Sequence, residues 1–200
     1  MAVIPDRVPM GLLFGLTGPP AAGKDAAALY LIEAHGFERL AFADEIRRAA
    51  LVLDPYVGQS RRLSEIVAEH GWDYCKSNWL ECRRLLQVLG TELGRDLHGP
   101  DTWVDRVFDA VHQLNFAQHI VITDVRFENE AAAVRSHGGR VVRLNRSSPS
   151  PDVVMAHLSE VESAGICPDY VIPNHGDLAQ LHGHLDRLVT RSLALRRMNA

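Results

Sequence analysis

Gly18-Pro19-Pro20-Ala21-Ala22-Gly23-Lys24-Asp25 is the stretch of this chain whose residue types and spacing point most directly to chemistry. It fits G-x-x-x-x-G-K, in which glycines let the backbone curl until successive N–H groups converge on phosphate oxygens. A helix starting there adds the partial positive charge of its N-terminus. Gly18, Ala21, Ala22 and Gly23 then supply amides, and Lys24 reaches the β- and γ-phosphates of a nucleotide. Position 25 departs from the common pattern, which places a Ser or Thr hydroxyl on Mg²⁺. A carboxylate is itself a hard oxygen ligand, so Asp25 is a candidate for that cation and also suits a first helical turn.

Ile120-Val121-Ile122-Thr123-Asp124-Val125-Arg126 is an apolar run ending in an acid and an arginine. In parallel α/β folds ligands bind at the carboxyl ends of strands. Asp124 there is a second candidate for Mg²⁺, and Arg126 offers a planar fork that matches phosphate oxygens. A further polar group comes from Gln87, Thr91 and Arg95, spaced by four and so expected on one helical face suited to a polar base and a phosphate. Arg83 or Arg84 lies on or beside that face. Asp101 is placed to cap the next helix, and Trp103 is either core or a stacking surface for a base. Arg146 precedes the Ser/Pro-rich stretch 147–151 and is a better candidate than Arg143 to act on a transferring phosphoryl group, since alternation sets Arg143 opposite Leu144. His182 and His184, two apart on a predicted helix, do not face one way and read as surface residues.

The elements that must position these residues follow from alternating short apolar and longer amphipathic runs, the pattern of βαβ units around a parallel sheet. Strands are expected over 12–17, 39–43, 119–123, 140–144 and 170–172. Helices are expected over 24–34, 44–53 with Asp44 as its cap, 63–70, 79–94, 101–114, 128–137, 152–164 and 178–195. The result is one α/β domain of about five strands flanked by helices, a length of 200 residues being ordinary for one domain.

Composition narrows the partners. Lys and Arg number 21 against 25 Asp and Glu, a formal net charge of −4, which gives no general basic field for a nucleic acid polymer. No apolar run approaches the length of a membrane span, and residues 1–16 do not read as a signal peptide. Three cysteines without C-x-x-C predict neither a disulfide framework nor a zinc site and suit a reducing cytosol. No Ser-His-Asp or Cys-His arrangement stands out. A phosphate acceptor would need none, because a phosphomonoester with its second pKa near 6 attacks already ionised. Catalysis is then alignment plus charge neutralisation.

Taken together and in order, Gly-x4-Gly-Lys-Asp, Phe42-Ala43-Asp44, Gln87-x2-Gly90-Thr91-Glu92-x2-Arg95-x5-Asp101-x-Trp103, Asp124-Val125-Arg126-Phe127-x-Asn129-Glu130 and His157-x-Ser159-Glu160 resemble the deoxynucleoside monophosphate kinases of tailed bacteriophages. The likeness runs from about 13 to 189, and Asp after the loop lysine is usual in that family. It implies a P-loop nucleoside-monophosphate-kinase fold in three layers, with a core over about 11–43, 116–145 and 168–196, a helical monophosphate-binding region over about 44–115 and a lid over about 146–164. It implies transfer of the γ-phosphoryl group of ATP to a deoxynucleoside 5′-monophosphate with Mg²⁺, in a host cytoplasm, by a chain that commonly forms homodimers. Carried over by motif, Gly18 to Asp25 bind ATP, and Asp44, Arg83, Gln87, Thr91, Arg95, Trp103, Asp124 and Arg126 surround the acceptor. Lys24, Arg126 and Arg146 act on the transferring group, and Asn174 matches an adenine-facing position. Two competing readings are a P-loop kinase for another small acceptor, such as phosphomevalonate or dephospho-coenzyme A, and a regulator that binds ATP without transferring phosphate.

Overall fold

The computed structural model describes residues 11–58, 60–115, 117–146 and 163–199. The chain divides into two compact units, one made of Met1–Leu40 with Asp109–Ala200 and the other of Ala41–Phe108.

The first unit is built on a five-stranded parallel sheet. Its strands are β1 (Leu13–Thr17), β2 (Phe37–Leu40), β5 (His119–Ile122), β6 (Arg140–Asn145) and β7 (Tyr170–Pro173), in the order β2-β5-β1-β6-β7. β1 is buried along its whole length, as its unbroken apolar run requires of a central strand. Helix α1 (Lys24–His35) follows β1, α6 (Glu128–Ser136) follows β5, and a closing helix, α7 (Leu178–Asn199), follows β7. Phe14, Leu16, Leu31, Val121, Val142 and Leu185 lie in the core that the sheet shares with α1 and α7. α7 is tied to α1 through Asp186, which accepts from Tyr30 Oη at 2.9 Å and lies 2.8 Å from His35 Nε2. His182, expected at the surface, lies flat on the Tyr30 ring with centroids 3.8 Å apart.

The second unit is helical. It holds α2 (Phe42–Leu53), a hairpin of β3 (Tyr56–Val57) and β4 (Arg61–Arg62), α3 (Leu63–Asn78), α4 (Leu80–Gln87) and a wide π-helix, π1 (Val88–Leu97). The start of α5 (Thr102–Gln113) completes it. α3 bends at Gly71, whose φ of 79° no helix accommodates. Cys75 and Cys82 sit in this unit's core, and burial pushes the Cys82 thiol up to about 11, so both stay protonated.

Several boundaries differ from expectation for identifiable reasons. Gly36 takes a left-handed turn and releases α1 straight into β2, which therefore begins at Phe37 rather than at 39. α2 starts at Phe42, so its cap is Ala41; Asp44 stands inside the first turn and pairs with Arg47 at 2.8 Å. The β3–β4 hairpin, two residues a side, is too short to leave a period in the sequence. The expected helix over 152–164 lies outside the described residues apart from its end, as do His157, Ser159 and Glu160.

Candidate active site

The loop from Gly18 to Gly23 joins the central strand to α1 at the carboxyl edge of the sheet. Strand order turns to opposite sides of β1 here, which is where open α/β sheets bind ligands. Gly18, Ala21 and Gly23 have φ of 132°, 57° and 96°. Left-handed residues alternating with ordinary ones turn successive amides inward, the concavity that binds oxyanions. Space as well as torsion demands glycine at two of these positions. A Cβ at Gly18 would run into the Leu144 carbonyl, and one at Gly23 into the Asn174 side chain. Ala21 holds its left-handed φ without that excuse, strain of the sort that collects at functional loops.

Two side chains brace the loop. Lys24 Nζ donates to the Gly18 carbonyl at 2.9 Å and the Pro19 carbonyl at 2.8 Å, spanning the concavity. Asn174, 9% exposed beyond the end of β7, donates from Nδ2 to the Ala22 carbonyl at 2.8 Å. Its own backbone N–H is held by Asn145 at 2.8 Å. The amide expected to face a base is thus engaged in holding the loop. Thr17, fully buried at the end of β1, has a hydroxyl with no hydrogen-bond partner among the described residues. Asp25 is exposed in the first turn of α1.

Beyond β5, Asp124 is half-buried and Arg126 exposed. The backbone here is set by Glu130, 4% exposed, which accepts the N–H of Arg126 at 2.7 Å and of Phe127 at 3.1 Å. A carboxylate reaching back to the start of its own helix is half of a capping box. Sequence reasoning gives Glu130 no role of its own; the signal for one is its place three residues past the helix cap. Arg143 is spent on backbone: its Nη2 donates to the carbonyls of Ser163 at 2.8 Å and Ile166 at 2.7 Å. Arg146 is exposed at the end of its segment.

In the helical unit the expected stripe of Gln87, Thr91 and Arg95 runs across the junction of two helices. α4 ends at Gln87, and the wider π1 carries Thr91 and Arg95. Gln87 is exposed, whereas Thr91 and Arg95 are half-buried. Trp103 Nε1 donates to the Gly90 carbonyl of π1 at 2.9 Å. Trp103 packs so closely on Gly94 that an added Cβ would lie 2.6 Å from its Cε2. The tryptophan is therefore half-buried and fixed to the segment that carries Thr91 and Arg95. Arg83 and Arg84 are both exposed; Arg83 Nη2 lies 3.5 Å from the Lys76 carbonyl.

Among the described residues no three His, Cys, Asp or Glu side chains converge as a metal cage. Magnesium does not require one, since it is commonly held by one or two carboxylates plus substrate phosphates. Exposed Asp25 and half-buried Asp124 are oxygen donors of that type.

Residues 61–185 match the family model for deoxynucleotide monophosphate kinase, a span that begins after the phosphate loop. A protein of Acanthamoeba polyphaga mimivirus, carrying the provisional name deoxynucleotide monophosphate kinase, is 28% identical over 87% of this chain and 94% of its own. Among solved structures, TT1252 from Thermus thermophilus aligns with 90% of this chain and 97% of its own at 14% identity and a TM-score of 0.48. The dephospho-CoA kinase of Campylobacter jejuni aligns with 92% and 98% at 13% identity and 0.47.

Proposed function

From the premise that this chain belongs to the deoxynucleotide monophosphate kinase family, and is therefore an ATP-dependent phosphotransferase, we propose that it moves the γ-phosphoryl group of ATP onto a deoxynucleoside 5′-monophosphate, in a Mg²⁺-dependent reaction that yields the diphosphate. The observation that carries this reading is the braced concavity at Gly18 to Lys24, on the central strand of a chain whose later residues match that family.

In this reading the amides of Gly18, Ala21, Ala22 and Gly23 take the triphosphate, and Lys24 exchanges its two carbonyl partners for β- and γ-phosphate oxygens. The acceptor phosphate, ionised near neutral pH, forms a bond to the γ-phosphorus as the bond to the β–γ bridging oxygen breaks, and ADP leaves. No protein base is needed. Arg126 and Arg146 offset charge on the transferring group. Asp44, Arg83, Gln87, Thr91, Arg95, Trp103 and Asp124 form the acceptor's surroundings, and Asn174 serves the ATP side. Asp25 and Asp124 would hold Mg²⁺, which would offset phosphate charge. The same reading places the protein in a host cytoplasm as a homodimer binding small nucleotides. No described helix is long and apolar enough to cross a membrane.

A coupled assay of ATP consumption across the four deoxynucleoside monophosphates, at fixed Mg²⁺, tests the reading. Turnover with at least one, and none with phosphomevalonate or dephospho-coenzyme A, is the expected result. Consumption only with a non-nucleotide acceptor, or with none, overturns it. Asp25→Ala is expected to raise the Mg²⁺ needed for half-maximal turnover far more than it weakens ATP binding; an unchanged Mg²⁺ titration removes Asp25 from the metal site.

A further inference from the structure

β1, β6 and β7 run parallel, so their first residues lie together at the amino edge of the sheet, roughly 15 Å along β1 from the phosphate loop. A cavity of about 70 Å³ opens there. Its walls include Phe14, Gly138, Arg140 at the head of β6, Tyr170 at the head of β7, and Ser192 and Arg196 from α7. Ser192 is 7% exposed, and its hydroxyl has no hydrogen-bond partner among the described residues. A buried hydroxyl left in that state is unfavourable unless a ligand or ordered water meets it.

The charges on this recess have one sign. Arg140 and Arg196 both line it, and no acidic side chain does among the described residues. Burial, with the Arg140 charge as a second cause, holds the Arg196 guanidinium below the usual arginine range. An oxyanion would relieve that repulsion with charge-assisted hydrogen bonds and would give Ser192 an acceptor. The space suits a tetrahedral anion.

We propose that this recess binds a phosphate-sized oxyanion, either inorganic phosphate or the terminal phosphoryl group of a nucleotide whose remainder stays in solvent, with Arg140 and Arg196 as charge partners and Ser192 as a neutral donor. The site is separate from the phosphate loop and does not depend on the reaction proposed above. Two of its three strands nevertheless lead there: β1 runs into the loop, and β7 runs to Asn174, which holds Ala22.

Backbone-amide NMR of the full chain during titration with inorganic phosphate separates the two anion sites by residue. The expected result is saturable movement of the Gly138, Tyr170 and Ser192 amides in addition to any response at Gly23 and Lys24. Arg140→Gln and Arg196→Gln should each weaken the first response about tenfold, the loss of one charge-assisted partner, while the loop amides respond as in the wild type. A titration with a deoxynucleoside monophosphate identifies the source. Movement of the same amides at lower concentration than with phosphate assigns the nucleotide, and movement with phosphate alone assigns the free anion. Amides at 138, 170 and 192 that stay still or drift without saturating overturn the proposal, as does a full response retained in both glutamine variants.

Discussion

In the proposed reading the phosphate-loop unit and the helical unit solve recognition differently. Around Gly18 to Gly23 the geometry is written in the main chain: three positive φ values, amides turned inward, and carbonyls tied down by Lys24 and Asn174. In Ala41–Phe108 the candidate groups are side chains, several of them exposed, spread over α2, α4, π1 and α5. A polyphosphate tail is common to all nucleoside triphosphates, so backbone amides recognise it without regard to base. An acceptor has to be distinguished from similar molecules, and side-chain hydrogen bonds do that. The difference yields graded predictions.

The largest effect is expected from Lys24→Ala. Losing one preorganised positive donor should lower kcat/KM by about a hundred- to a thousandfold in steady-state assays. The thermal unfolding midpoint should move little, since the Lys24 partners are carbonyls near the surface. Near-wild-type turnover would remove the loop from the reaction.

Next comes Gly94→Ala, aimed at the other unit. The new methyl group would lie 2.6 Å from Trp103 Cε2 and 2.8 Å from Cζ2, and neither the ring nor the helix backbone can yield cheaply. Overpacking of this kind costs about 1–3 kcal/mol. Denaturant unfolding should show the loss, and monophosphate affinity should fall while ATP affinity is kept. Equal damage to both affinities would break the contrast between the units. Asn174→Ala is the matching cut in the first unit. Removing one neutral hydrogen bond under the loop should raise the KM for ATP about three- to tenfold, with kcat and the monophosphate KM nearly unchanged. A rise in the monophosphate KM alone would contradict the bracing role.

The same contrast explains which features are legible in the amino-acid sequence. The loop is legible because its glycines and lysine answer a backbone requirement, and because a buried apolar strand and a helix flank it. Whereas β2, which carries Glu38 and Arg39, overlaps its expected span only at 39 and 40, the other four of the sheet's five strands are legible from their apolar runs. Asn174's bracing role is not, because its partner Ala22 is 152 residues away and the contact depends on the sheet bringing β7 beside β6. The change from α4 to π1 under Gln87, Thr91 and Arg95 is not legible either, because spacing arguments assume one helix type throughout, and neither is the hold of Trp103 on Gly90. Asp44 reads as a cap because aspartate commonly is one, yet Phe42 is buried and draws the helix start two residues earlier.

The smallest predicted effect sharpens the contrast through pH. His119 Nδ1 accepts the N–H of Leu12 at 2.9 Å, joining the entries of β1 and β5, and its ring leans on Phe37. Burial, helped by the positive charges of Arg196 and His35, holds this imidazole below its ordinary value of 6.5. The folded chain therefore favours the neutral ring, while the unfolded chain takes up a proton near 6.5. Its contribution to stability is complete above 6.5 and drains away as pH falls below it, because the unfolded state then binds more protons. A protonated Nδ1 can no longer accept from Leu12, so the loss is that of one exchanged hydrogen bond, about 1 kcal/mol or less. Once intrinsic exchange rates are allowed for, amide hydrogen exchange between pH 7.5 and 5.5 should show protection falling at Leu12 and Ile120 but not in α2 or α3. His119→Ala should abolish that pH dependence, and its persistence in the variant would assign the effect to another group.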